Sequence, residues 1–242
     1  PNGERIVTTG DNGAVILWNP DTGQEITRFS SHADKVLAAT FSPDGHTLAT
    51  AGDDVAVQLW DIESQAPRRQ FTEFPGPVNS VVFSPNGRLL ATASYDEYLA
   101  CPEPGAPESK PDLPAGRLVQ LWDIETGKQL PLVAGHTRQV TGLAFTSDGS
   151  HLISVSCDGT ILTRSVDDGT LESSIQNIEL KPIRAIAINP GDQSILTGGD
   201  DTVLQTWQSL DNLLEQADSL IQRQPQVYRA EERRRYFSTS KP

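Results

Sequence analysis

The sequence predicts an all-β chain of repeated four-stranded antiparallel units. Three observations carry that prediction: two landmarks that recur in step, a shared period of ~42 residues, and turn residues at fixed places within each period. The first landmark is an aromatic residue leading into a turn: Phe41-Ser42-Pro43-Asp44-Gly45, Phe83-Ser84-Pro85-Asn86-Gly87, Phe145-Thr146-Ser147-Asp148-Gly149 and the weaker Ile188-Asn189-Pro190-Gly191-Asp192. The second is a short apolar run ending in Trp: Val15 to Trp18, Val57 to Trp60, Val119 to Trp122, Ile161 to Arg164 with Arg in the Trp position, and Val203 to Trp207. Phe41 to Phe83 and Trp18 to Trp60 are both 42 residues, Phe83 to Phe145 and Trp60 to Trp122 both 62, Phe145 to Ile188 and Arg164 to Trp207 both 43. One repeat therefore holds 20 extra residues.

Each element of a repeat follows from its residues. Val78 to Phe83 is a mostly apolar first strand, and Ser84-Pro85-Asn86-Gly87 is a turn in which Pro presets φ and Gly accepts positive φ. Leu89 to Ala93 is small and apolar, suited to a second strand buried on both faces. The third strand, such as Val57 to Trp60, ends in a turn of the Asp61-Ile62-Glu63 or Asn19-Pro20-Asp21-Thr22-Gly23 kind, and a more polar outer strand such as Gln24 to Ser30 follows. Four short strands per repeat cannot bury their faces singly. Radial stacking of repeats buries them, and a period of about 40–45 residues is that of a four-stranded propeller blade. About five blades are represented, the first and last incomplete.

With the dipeptides Trp60-Asp61 and Trp122-Asp123, and with Gly135-His136 and the variant Ser31-His32, residues 1–207 resemble the WD-repeat β-propellers, bacterial multidomain members among them. The resemblance implies a buried hydrogen-bonded tetrad within a blade, here His32, Thr50, Asp54 and Trp60. An indole N–H is only a donor, so a buried Trp needs an acceptor, and a hydroxyl beside His and Asp relays the bond. Other repeats hold partial sets. Thr92, Asp96 and Trp122 have Phe74 in the His position; His136, Ser154 and Asp158 have Arg164 in the Trp position; Thr197, Asp201 and Trp207 face Glu179. These blades are expected to be less rigid or to rely on packing. Rings of this family usually hold about seven blades and close with an N-terminal strand. Pro1-Asn2-Gly3 matches the turn after a first strand and the chain contains no Met, so a fragment is expected, with about one to three further repeats upstream or an open arc with exposed edges.

The extra residues, Glu97 to Gly116, sit between the second and third strands of their blade and include Pro102, Pro104, Pro107, Pro111 and Pro114. Such a stretch is an extended loop, either a tolerated insertion or a contact surface for partners. Its candidate partner-binding residues are Tyr95, Glu97, Tyr98, Glu103, Glu108 and Asp112. After Trp207, residues 208–242 form a tail: Leu210, Leu213, Leu214, Ala217, Leu220 and Ile221 make a helical stripe, and a basic end with net charge +4 follows from Arg223.

The whole chain carries −13, hence −17 on residues 1–222, which disfavours nucleic acid and anionic membranes and favours basic protein segments. No apolar run approaches the ~20 residues of a membrane span. Cys101 and Cys157 can form at most one disulfide, and a reducing, cytoplasmic setting is the simpler reading; Cys157 is expected to be a partly buried small residue or a reactive thiol. Asp11-Asn12-Gly13, Asp53-Asp54, Asp158-Gly159 and Asp200-Asp201 read as hairpin turns rather than calcium loops. His32, His46, His136 and His151 have no zinc spacing, His46 and His151 being expected exposed. No catalytic residue, metal or cofactor is expected. The sequence favours a non-catalytic scaffold for protein partners. The alternatives are a C-terminal regulatory propeller of a larger signalling enzyme, such as a Ser/Thr kinase or nucleotide-binding switch, and a propeller hydrolase, for which no ligand cluster is present.

Overall fold

A computed structural model describes residues 1–30, 32–95, 101, 119–132, 135–176, 181–189, 194–200 and the backbone of 204–207. Pro1–Trp207 forms one compact unit. The expected helical tail, the basic end, and Asp96, Glu97, Tyr98, Glu103, Glu108, Asp112, Glu179 and Asp201 lie outside the described residues.

Among the described residues, eighteen strands form five antiparallel meanders. The first sheet is β1 (Ile6–Thr9), β2 (Ala14–Trp18) and β3 (Glu25–Ser30). The second is β4 (Val36–Phe41), β5 (Thr47–Gly52), β6 (Val57–Asp61) and β7 (Ala66–Phe71). The third is β8 (Val78–Phe83), β9 (Leu89–Ser94), β10 (Val119–Asp123) and β11 (Gln129–Leu130). The fourth is β12 (Val140–Phe145), β13 (His151–Ser156), β14 (Thr160–Ser165) and β15 (Leu171–Gln176). The fifth is β16 (Ile183–Ile188), β17 (Ile195–Gly199) and β18 (Leu204–Trp207). Contacts between successive sheets run through β4, β8, β12 and β16, so the blades of this propeller converge on their first strands.

The core consists of four layers between blades, not one centre. Val15, Leu17 and Phe29 of the first sheet meet Leu48, Trp60 and Ile62 of the second. Leu59, Val57 and Phe71 meet Val81, Phe83 and Trp122. Leu121 and Ala91 meet Leu143, Phe145 and Leu152, and Val155 and Ile161 meet Ile183 and Ile195. The second strands β5, β9 and β13 lie deep: every residue of β5 is buried, and β5 and β9 are written mostly in Ala, Thr, Ser and Leu. Only small side chains let two neighbouring sheets approach on both sides.

Turn chemistry sets the ladders. Ser42, Ser84 and Thr146 each donate a side-chain hydroxyl to the Asx residue two positions on, at 2.5, 2.8 and 2.6 Å. The carbonyl of each accepts from the N–H of Gly45, Gly87 or Gly149, whose φ values are +74°, +69° and +73°. Asp148 accepts hydrogen bonds from Thr146 and Ser150, which lower its carboxyl to about 2. At the hairpin between second and third strands, Gly13 has φ +73°, and a Cβ there would stand 2.7 Å from the His32 carbonyl oxygen. Val55, 42 positions later, adopts φ +59° in the same slot.

Replacing Leu59, fully buried between the second and third blades, with Ala should lower unfolding free energy by about 2–5 kcal/mol. Urea denaturation followed by tryptophan fluorescence measures this as a lower midpoint at unchanged slope.

Candidate functional site

In the second blade, a chain of buried polar atoms runs from the outer layer to the loop end of the sheet. The Trp60 indole N–H donates to Thr50 Oγ1 at 2.9 Å, and Thr50 Oγ1 lies 2.7 Å from His32 Nε2. His32 Nδ1 lies 2.9 Å from Asp54 Oδ2, which also accepts from the Ala33 N–H. The carboxylate can only accept, so Nδ1 carries the proton and, in a neutral ring, Nε2 accepts from the Thr50 hydroxyl. The bonds therefore point one way along the chain, and every donor in it is used. Trp60 also stacks on Phe29 of the preceding blade, with ring centroids 4.8 Å apart.

Neighbouring blades keep the hydroxyl and change what surrounds it. Trp122 donates to Thr92 at 3.1 Å and packs against Phe71 at 4.9 Å and Phe74 at 5.5 Å, the latter edge-on. Phe74 thus fills the His position with an aromatic contact. In the fourth blade His136 Nε2 lies 2.8 Å from Ser154 Oγ, and the guanidinium of Arg164 donates to the same oxygen at 3.0 Å. Arg164 is 1% exposed, burial lowers its pKa, and its Nη2 lies against Gly135, where any Cβ would collide with it. Arg164, in the Trp position, supplies a donor to the Ser154 hydroxyl itself. Burial works against ionisation of Asp158, yet His136, Thr160 and the Thr137 N–H outweigh it and hold its carboxyl well below the ordinary 3.8.

Thr197 is buried opposite Gln205 in the ladder of the last sheet. Sequence reasoning missed the first blade, where the half-buried Trp18 donates to Thr8 at 2.8 Å. A hydroxyl ten residues before the aromatic was the available signal, since Thr50 and Trp60 have the same spacing. His46 is exposed as expected. His151 is not: it is half-buried, with Nε2 2.7 Å from Glu172.

Beside the relay, two rows of equivalent residues follow the repeat around the loop-bearing face. Asp53, Tyr95, Cys157 and Asp200 each donate a backbone N–H to the carbonyl eighteen positions earlier, on Lys35, Pro77, Gln139 and Pro182. Their spacing repeats the 42, 62 and 43 of the landmarks. The Tyr95 hydroxyl reaches Asp53 of the previous blade at 3.5 Å. The second row occupies a bulge near the start of each first strand: Leu37, Asn79, Thr141 and Arg184, where the pairing register shifts. Asn79 donates to the Val140 carbonyl and Thr141 to that of Ile183, tying each blade to the next. Leu37 holds the equivalent place without a polar atom and is 38% exposed.

Cys101 and Cys157 form a disulfide, with Cα atoms 5.3 Å apart. The expectation that Cys157 is a partly buried small residue or a reactive thiol is corrected: it is buried and paired. The bond was illegible in the sequence because 56 positions separate its ends. Only the blade geometry brings the base of the insertion over the fourth blade's hairpin. Among the described residues, no group of three or more His, Cys, Asp or Glu is placed to hold a metal ion, and no helix is long and apolar enough to cross a membrane.

The period, the five meanders and the relay define a β-propeller of WD repeats, and comparison with known proteins agrees. Residues 23–61, 67–100 and 127–162 match the family model described as WD domain, G-beta repeat. It is similar to the DENN domain and WD repeat-containing protein SCD1 of Arabidopsis thaliana, 31% identical over 39% of this chain and 8% of that protein. Eukaryotic translation initiation factor 3 subunit I of Bombyx mori is 33% identical over 39% of the chain and 28% of its own length. The target of rapamycin complex subunit wat1 of Schizosaccharomyces pombe is 35% identical over 37% of the chain and 28% of its own length. The alignments thus span between 8% and 28% of these relatives.

Trp60→Phe keeps the ring against Phe29 but removes the donor and should cost about 1–2 kcal/mol, whereas Trp60→Ala should cost about 3–5 kcal/mol. Equal losses in chemical denaturation would refute the separate role of the hydrogen bond. Because the folded state holds Asp158 ionised below its ordinary 3.8, its contribution to stability is complete above about pH 5 and declines as acid protonates the unfolded chain first. The melting temperature should fall more steeply from pH 5 to pH 3 in the wild type than in Asp158→Asn, which starts lower and flattens the curve.

Proposed function

We infer that this chain is a non-catalytic scaffold whose propeller presents one loop-bearing face to partner proteins, with basic segments as preferred ligands. The observation that carries the reading is where the reactive side chains go. His32, Asp54, His136 and Asp158, the residues that general acid–base chemistry would need, are committed to hydrogen bonds within their own blades. What varies between blades lies on the shoulder row Asp53, Tyr95, Cys157 and Asp200 and on the insertion beyond it. A rigid frame with variable loops is an arrangement suited to binding. WD-repeat relatives named as subunits of a translation initiation factor and of the target of rapamycin complex support protein partners as the class.

The charge of −17 on residues 1–222 supports basic segments, since such a field steers cationic partners and raises their association rate. The candidate contacts are Tyr95 and, in the insertion, Glu97, Tyr98, Glu103, Glu108 and Asp112. A cytoplasmic location is part of the same reading: one cysteine pair in 242 residues is far from the cystine density of secreted scaffolds.

Fluorescence anisotropy against arrays of basic and acidic peptides tests the proposal. Basic peptides should bind with affinity that drops about tenfold or more between 50 and 300 mM salt, and deletion of residues 102–116, which retains Cys101, should weaken them while leaving the melting temperature within about 2 °C. Equal binding of acidic and basic peptides, or binding indifferent to the deletion, would refute it.

A further inference from the structure

We propose that Cys101–Cys157 is an exchangeable redox site that covalently clasps the base of the insertion to the next blade, with Cys157 as the leaving sulfur and Arg184 as its electrostatic support. Two residues on consecutive blades are joined. Cys101 follows β9 and its hairpin shoulder Tyr95, whereas Cys157 is the shoulder of the fourth blade. Gln139 braces both ends, its side-chain oxygen accepting from the Cys101 N–H at 3.2 Å and its carbonyl from the Cys157 N–H at 3.0 Å. The Cα separation of 5.3 Å lies within the roughly 4.4–6.8 Å that a disulfide spans.

The two sulfurs differ in their surroundings. Cys101 is half-buried, and Cys157 is 3% exposed, so an incoming thiolate meets Cys101 first. Arg184, on the bulge of β16, directs Nη1 at Cys157 Sγ from 3.9 Å, while its Nε and Nη2 donate to Asp200 at 2.8 and 2.6 Å. The carboxylate fixes the plane of the guanidinium and leaves one edge on the sulfur. A cation in that place stabilises a thiolate, and a lower thiol pKa makes a faster leaving group.

A dithiol reductant completes the step. Its first thiolate attacks Cys101 Sγ, the Cys101–Cys157 bond breaks, and the bonding electron pair departs on Cys157 as thiolate beside Arg184. The reductant's second thiolate then attacks its own sulfur in the mixed disulfide and releases Cys101 as thiolate, which takes a proton from solvent. The reductant leaves as a cyclic disulfide, having passed two electrons to the protein. A disulfide oxidant reverses the sequence and closes the clasp.

Peptide mapping of the full chain without reduction should recover a Cys101–Cys157 cross-link, and alkylation of both thiols in air-oxidised protein would overturn the proposal. Exposure to glutathione followed by acid quench should trap the adduct on Cys101 with Cys157 unmodified; an adduct on Cys157 would overturn the assigned direction. Reduction by dithiothreitol, timed by alkylation, should slow about threefold or more in Arg184→Gln and quicken in Asp200→Asn, which removes the carboxylate paired with the guanidinium. Unchanged rates in both variants would remove Arg184 from the mechanism.

Discussion

A nitrogen donor that must reach a hydroxyl of the second strand, an indole N–H in the second and third blades and a guanidinium in the fourth, is the constraint on which the architecture turns. The Trp ring is large enough to fill the space between two sheets, and its faces gain from stacking on the preceding blade, as Trp60 does on Phe29 and Trp122 on Phe71. Its nitrogen then sits where water cannot reach, and an unpaired donor there would cost about 1–3 kcal/mol. The hydroxyl of the second strand two residues beyond the one paired with the Trp answers it, and that hydroxyl in turn orders the histidine and aspartate beyond. A packing decision in the outer layer thereby fixes the connection between blades and the hairpin on the loop face.

The departures from this pattern follow the same physics. Where Phe74 replaces histidine, Thr92 still accepts from Trp122, and its oxygen lies 3.4 Å from the Gln120 carbonyl, so the hydroxyl is not stranded. Where Arg164 replaces tryptophan, position 133, which the repeat aligns with Phe29 and Phe71, is Val in the sequence and not an aromatic residue. A guanidinium is thinner than an indole and carries several donors, and the absence of a side chain at Gly135 leaves room for it. Ser154 accepts from it as Thr50 does from Trp60. The demand of the site is for a donor at that point, not for tryptophan as such.

Much of this was legible in the sequence because the repeat is registered twice, by Phe-turn and by Trp. Strand order, the burial of Ala-Thr-Ala segments and the place of the insertion all follow from intervals of 42, 62 and 43 residues. What escaped depended on geometry across blades. The bulge that aims Asn79 and Thr141 at the next sheet leaves no mark in composition. The left-handed Val55 occupies a slot where Gly13 announces a turn and valine does not. The shoulder row did have a signal, since Asp53, Tyr95, Cys157 and Asp200 recur at the landmark intervals, but their side chains share no chemistry that would draw attention.

The insertion shows how little a propeller blade is disturbed by length in the right place. Trp122 pairs with Leu90 as Trp60 pairs with Leu48, and Val119 with Ala93 as Val57 with Ala51, so the ladder is the same whether residues 53–56 or 95–118 connect it. Loop closure depends on the logarithm of length, and a sixfold longer connection adds only about 1.6 kcal/mol. The hydrogen bonds of the hairpin shoulder remain, because Tyr95 donates its N–H to Pro77 as Asp53 does to Lys35. A bond from Cys101 to Cys157 offsets part of the entropy by fixing one point of the connection, Cys101, to the neighbouring blade. Length is therefore tolerated where strand pairing has already been decided on both sides of it.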